Sequence, residues 1–211
     1  MPHLVLIGDS VFDNVAYTAG GPSVVEQVAA TLPDGWRASL GAVDGSTTDD
    51  IARQLDALPG DATHLVLSVG GNNALLRAEV LQTPVQSSGE ALLLLGQAAQ
   101  EFEASYRAAM SACLARRVPL VVCTVYHGNF PDLVYQACVR VALCAFNDVI
   151  VRVAVEHRLK VIDLRQICSQ PVDYANPIEP SSIGGRKIAD AIASAVTEEV
   201  LPLRGAYLVA G

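Results

Sequence analysis

Aromatic residues make up only 5% of this chain, and 14 lysines and arginines face 22 acids, for a formal net charge of −8. So few rings provide no stacking platform for bases. With no basic run to offset the net charge, a phosphate backbone would be repelled, which excludes nucleic acid as a partner. Cysteine is sparse and odd in number: Cys113, Cys123, Cys138, Cys144 and Cys168 include no Cys-x-x-Cys pair. They read as buried thiols in a reducing cytoplasm, not as a disulfide framework. Long hydrophobic runs are missing too. Met1-Pro2-His3 carries no basic leader and the run Leu4 to Ile7 stops at Gly8, so the expectation is a cytoplasmic protein with neither signal peptide nor membrane span. Also absent are a Gly-x-Ser-x-Gly elbow, a P-loop, a Gly-x-Gly-x-x-Gly fingerprint and a His-Glu-x-x-His pair, and no cofactor is called for.

The 211 residues are 51% apolar and 17% charged, which suits one well-buried α/β domain spanning 1–211. Five runs rich in Val, Leu and Ile read as strands: His3 to Ile7, Trp36 to Leu40, His64 to Val69, Leu120 to Tyr126 and Lys160 to Leu164. None alternates strictly with polar residues, as expected of strands covered on both faces. Helices are expected between them. Ser23 and Glu26 form a capping box before Val28 to Leu32, and Thr47 or Thr48 caps Asp49 to Leu58. Gln97 to Arg117, Val134 to Arg158 and Ile183 to Val200 follow, the last with Ser181 and Ser182 as cap candidates. This βα repetition predicts a flavodoxin-like three-layer α/β/α domain with a five-stranded parallel sheet in the order 2-1-3-4-5. The segment 73–96 reads as a loop leading into an early start of the next helix, with a lid or binding loop as the other reading.

A polar, glycine-rich cluster follows each strand: Ser10, Gly45-Ser46, Gly71-Asn72-Asn73, His127-Gly128-Asn129, and the stretch from Asp173 to Ser182. Any one of these reads as an ordinary turn. Together they line the edge of the sheet where open α/β folds place ligands. Acyl transfer needs a nucleophile, a base and donors for an oxyanion. Ser10 is the candidate nucleophile, and the Ser10 and Gly45 amides with the Asn72 side chain are candidate donors. Asp9, Asp13, Asn14 and Asn73 are expected around the same pocket.

Gly8-Asp9-Ser10 with Asp13-Asn14, then Gly45 in Asp44-Gly45-Ser46-Thr47-Thr48, then Gly70-Gly71-Asn72-Asn73 resemble the first three blocks of the SGNH/GDSL hydrolase family. The resemblance implies an esterase or acylhydrolase, lipase-like, with Ser10 as nucleophile. It also implies an oxyanion hole formed by the Ser10 and Gly45 amides and Asn72. The family's fourth block, Asp-x-x-His followed by Pro, is replaced here by Asn176-Pro177-Ile178-Glu179-Pro180.

The two replacements are self-consistent. An Asp three residues from a glutamate would repel it, whereas an Asn amide can donate to the carboxylate. The expected base is therefore Glu179, oriented by Asn176, provided that burial raises its pKa. His127, after the fourth strand, is the alternative base or else a wall of the pocket. Asp9, His127 and Glu179 could also meet as metal ligands, but their spacing selects no metal. The expected substrate is a small acyl or acetyl ester; the competing reading is a module that binds such a ligand without turning it over. Leu92 to Leu95 is open between an acyl pocket wall, a core element and a dimer face.

Overall fold

The computed structural model describes residues 1–198 and 207–209. In chain order the elements are β1 (His3–Gly8), α1 (Val24–Thr31), β2 (Arg37–Leu40), α2 (Ile51–Asp56), β3 (His64–Ser68), α3 (Gly71–Leu75), α4 (Ser88–Ala115), β4 (Leu120–Cys123), α5 (Leu133–Glu156), β5 (Lys160–Ile162), α6 (Leu164–Ile167), α7 (Ser182–Thr197) and β6 (Tyr207–Val209). The five expected strands form a parallel sheet in the order 2-1-3-4-5, and β6 adds a short parallel strand beside β5. The sequence reading ran the last helix to Val200. It stops at Thr197, and residues 199–200 lie outside the described residues.

The unbroken apolar strands have a simple cause. Successive side chains point to opposite faces, and both faces are covered. Leu4 and Leu6 join Val66, Val121 and Ile162 in a core under α1 and α7. Val5 and Ile7 join Leu65, Leu67 and Val122 in a second core under α2, α4 and α5. β2 departs from the expectation, with Arg37 exposed and Leu40 39% exposed. It is the outer strand, paired only to β1, and a charge on such an edge discourages pairing with other chains.

Capping chemistry delimits the helices. The Ser23–Glu26 box starts α1, Asp132 Oδ1 accepts from Val134 N and Tyr135 N at the head of α5, and Ser181 accepts from Gly184 N at the head of α7. The early start of α4 accounts for part of the 73–96 segment: Ser87 accepts from Glu90 N and the helix begins at Ser88. Before it come α3 and a single 3₁₀ turn, Ala78–Leu81. Leu92 and Leu93 are exposed while Leu95 turns inward, since residues one turn apart share a face and their neighbours do not.

All five cysteines are free. Cys113, Cys123 and Cys168 are buried, and burial pushes the Cys113 and Cys168 thiols up to about 12. Cys138 and Cys144 are exposed on α5, correcting the expectation of five buried thiols. Among the described residues, no helix is long and apolar enough to cross a membrane.

Candidate active site

β1 ends in Gly8, whose φ of +131° suits glycine alone and where a Cβ would lie 1.8 Å from the Ser68 carbonyl oxygen. A side chain here would push β1 and β3 apart at the point where the loop begins. Asp9 N then donates to Ser68 O at 3.1 Å, and Asp9 Oδ1 accepts from Val11 N at 3.1 Å. The turn reading of Gly-Asp-Ser is thus realised, and the same turn presents Ser10, 7% exposed, to a cleft that Asp9, Asn72, His127 and Glu179 also line.

Two buried amides hold the strand ends around it. Gln54 on α2 accepts from Gly8 N at 2.8 Å and donates to Gly8 O at 2.7 Å. Asn147 on α5 accepts from Val125 N at 2.7 Å and donates to Val125 O at 2.8 Å. Each satisfies a backbone N–H and C=O where sheet pairing runs out.

Glu179 is 5% exposed and sits in a turn whose carbonyls from Pro177 to Pro180 are engaged. Pro177 O accepts from Asn129 N at 2.8 Å, Glu179 O accepts from Ala175 N at 2.9 Å, Ile178 O accepts from the Tyr126 hydroxyl at 2.5 Å, and Pro180 O accepts from Asn14 Nδ2 at 3.3 Å. Burial raises the Glu179 carboxyl above its ordinary value; hydrogen bonding from the Ser10 hydroxyl opposes this, and the Asp44 charge adds to it. Glu179 Oε2 is buried with no hydrogen-bond partner. Asp173 Oδ1, on the same stretch, instead faces Lys187 Nζ at 2.7 Å.

Asn176 acts differently from expectation. Its Oδ1 accepts from Ile178 N and Glu179 N, both at 2.9 Å, so it shapes the turn through the backbone and makes no bond to the carboxylate. An asparagine two or three residues ahead of free backbone amides bonds locally before it can reach a neighbouring side chain.

The candidate oxyanion donors come from three loops. Ser10 N and Gly45 N donate to no acceptor among the described residues. Gly45 adopts φ +78° on an exposed turn with open space where a Cβ would be. Asn72 Nδ2 donates to Ser46 O at 2.9 Å, which ties the second loop to the third and leaves its other N–H free. Three residues expected around the pocket are braces outside its wall. Asp13 Oδ2 accepts from Asp44 N at 2.9 Å. Asn14 Oδ1 accepts from Val24 N at 2.9 Å. Asn73 accepts from Thr48 N at 3.2 Å and donates to Thr48 Oγ1 at 2.9 Å. Small polar side chains at loop starts meet neighbouring backbone before they meet a cavity.

Asp9 remains in the wall. Burial pushes its carboxyl up to about 7, the Val11 amide opposes this, and the Glu179 charge raises it further. His127 is half-buried in the same wall, its imidazole lowered by burial and by Arg140 and Arg165, with Asp163 opposing. No hydrogen bond links its ring to Ser10. Among the described residues, no three His, Cys, Asp or Glu side chains are grouped to hold a metal ion.

Sequence reasoning passed over Gln54, Asn147 and Tyr126. Gln54 was findable, because helical spacing puts it on one face with Ile51, Leu55 and Leu58, where a polar residue needs a buried partner. The extent of the apolar cleft had no local signal; its walls come from α3, the Ala78–Leu81 turn, α4 and α5.

Comparison with known proteins bears on this geometry. A family model described as "GDSL-like Lipase/Acylhydrolase family" matches residues 6–183. No curated protein matches the sequence. Among solved structures, the extracellular lipase of Streptomyces rimosus superposes with a TM-score of 0.68 at 19% identity, over 92% of this chain and 100% of that one. A lipolytic protein of the G-D-S-L family from Veillonella parvula gives 0.68 at 16% identity, over 94% and 100%. A catalytic mutant of an acetylxylan esterase from Geobacillus stearothermophilus gives 0.64 at 20% identity, over 94% and 95%. At these identities the likeness is one of fold.

Proposed function

The chain belongs to the GDSL-like lipase/acylhydrolase family, a family of carboxylic ester hydrolases, and from that premise we propose that it hydrolyses esters with Ser10 as nucleophile and Glu179 as base. The observation that carries the reading is the Ser10 hydroxyl beside a buried carboxyl whose pKa is raised, within a cleft also lined by Asn72. An ordinary carboxylate is too weak a base for a serine hydroxyl. Withdrawn from water with Oε2 unpartnered, Glu179 holds a proton more tightly and is better matched to the task.

In the reaction, Glu179 takes the Ser10 Oγ proton as Oγ bonds to the acyl carbon and the carbonyl electron pair moves onto its oxygen. The Ser10 and Gly45 amides and the free Asn72 N–H receive that oxyanion. Collapse restores the carbonyl and expels the alcohol, which takes the proton from Glu179. Water, deprotonated by Glu179, then attacks the acyl-serine, releasing the acid and restoring Ser10. Asn176 keeps the Glu179 turn in shape, and His127 serves as wall. Acetyl and other short acyl esters satisfy everything this machinery requires.

A panel of p-nitrophenyl esters tests the reading. Wild-type protein is expected to turn them over and Ser10→Ala to lose that activity. Equal hydrolysis by both proteins would overturn it in favour of a binding module on the same fold.

A further inference from the structure

The cleft continues well beyond Ser10. It runs between α4 and α5 under the Gly71–Leu81 segment, past Ala74, Ala78, Leu95 and Leu143. Along α5 its wall extends from Tyr135 to Phe146, roughly 16 Å of helix axis at about 1.5 Å per residue. The cavity volume is about 100 Å³, room for several waters at roughly 10–15 Å³ each. An acetyl group at Ser10 would fill only the end next to the serine and leave water against the apolar side chains beyond it, which is unfavourable.

Charge selects as well. Arg77 reaches the wall, but its guanidinium is engaged by Glu79 and Glu101. The acids beside Ser10 are Asp9 and Glu179, and neither has a cation partner. A second carboxylate on the acyl chain would find no counter-charge there, and the acid released by hydrolysis would be repelled.

We infer that this cleft is a subsite for an uncharged, medium-chain acyl group, octanoyl in preference to acetyl, lying between α4 and α5 with its carbonyl at Ser10. The inference takes its reaction from the ester-hydrolase reading, whereas its binding claim can be tested without turnover. Ala78 and Ala142 are partly exposed cleft-lining residues. Leucine at either position adds bulk to the cleft without crowding the sheet cores.

Each buried methylene is worth about fourfold in binding, so wild-type kcat/KM is expected to be at least about tenfold higher on p-nitrophenyl octanoate than on the acetate. Ala78→Leu and Ala142→Leu are expected to reduce that ratio about tenfold, with melting temperature recorded to show that each variant folds. A flat or acetate-favouring profile in wild type, or a ratio unmoved in both folded variants, would overturn the subsite. Calorimetric binding to Ser10→Ala separates this claim from the proposed reaction. Ethyl octanoate binding more tightly than ethyl acetate, with the difference lost on adding Ala142→Leu, supports the subsite even if no ester is hydrolysed. Equal binding of the two esters overturns it.

Discussion

At the scale of single residues, the consequences follow from where Glu179 and its neighbours keep their protons. A base works deprotonated, so activity must fall as pH drops through its pKa. Burial has raised that value, which places the acid limb of kcat/KM above the ordinary glutamate value of about 4.3. Glu179→Gln, which preserves shape and removes the charge, is expected to abolish most of the activity, while His127→Gln has a smaller effect. An active Glu179→Gln beside an inactive His127→Gln would reverse the assignment. Asn176 bonds backbone amides, so Asn176→Ala should lower kcat by loosening the turn while leaving the acid limb nearly where it was. Stopped-time assays across pH separate these outcomes. Asn72→Ala should lower kcat by about 10²–10³, the usual loss on removing one oxyanion donor, with an unchanged far-UV spectrum.

Elements meet the site through side-chain amides. The bonds from Gln54 to Gly8 and from Asn147 to Val125 let α2 and α5 finish β1 and the stretch beyond β4. Gln54→Leu keeps the volume but strands the buried Gly8 N–H next to Ser10, while Gly8 O keeps the Val43 amide as donor. Its expected cost is about 1–3 kcal/mol, the usual penalty for one unsatisfied buried group, read as a lower urea midpoint at unchanged m-value. A cost within error of zero would mean that water or a backbone shift satisfies Gly8 instead. Activity should fall with stability in this variant, because the Gly8 turn is what presents Ser10.

For the molecule as a whole, buried carboxyls shape stability against pH. Asp9 is pushed from 3.8 up to about 7 in the folded state. Folding therefore favours the protonated form: the contribution is fully present below 3.8 and is lost as pH rises through about 7. Glu103, held down to about 2 by Arg152 and Arg107, runs the other way, its contribution being lost as pH falls through that range. Maximal stability is thus expected in mildly acidic solution. Asp9→Asn should flatten the decline on the alkaline side and be more stable than wild type near pH 8, by at most on the order of 4 kcal/mol, which a higher melting temperature would show. A wild-type melting temperature that rises steadily from pH 5 to 8 would contradict this account.

The amino-acid order alone determined the sheet and the identity of the serine loop. Strands buried on both faces must be apolar throughout, and a serine after Gly8 must fall at a strand end, so both are written in consecutive residues. Helix starts were legible for the same reason, since a cap and its partner lie three residues apart. What tertiary structure decided is what consecutive residues cannot encode. Asp13, Asn14 and Asn73 became braces because their nearest acceptors and donors come from other loops. Asn176 turned to backbone in preference to carboxylate, and Cys138 and Cys144 fell on the outer side of α5. The raised carboxyls of Asp9 and Glu179 arise from desolvation, which depends on everything packed around them. The cleft reaching from Ser10 to Phe146 exists only because α3, α4 and α5, separated in sequence, leave an apolar gap where they meet.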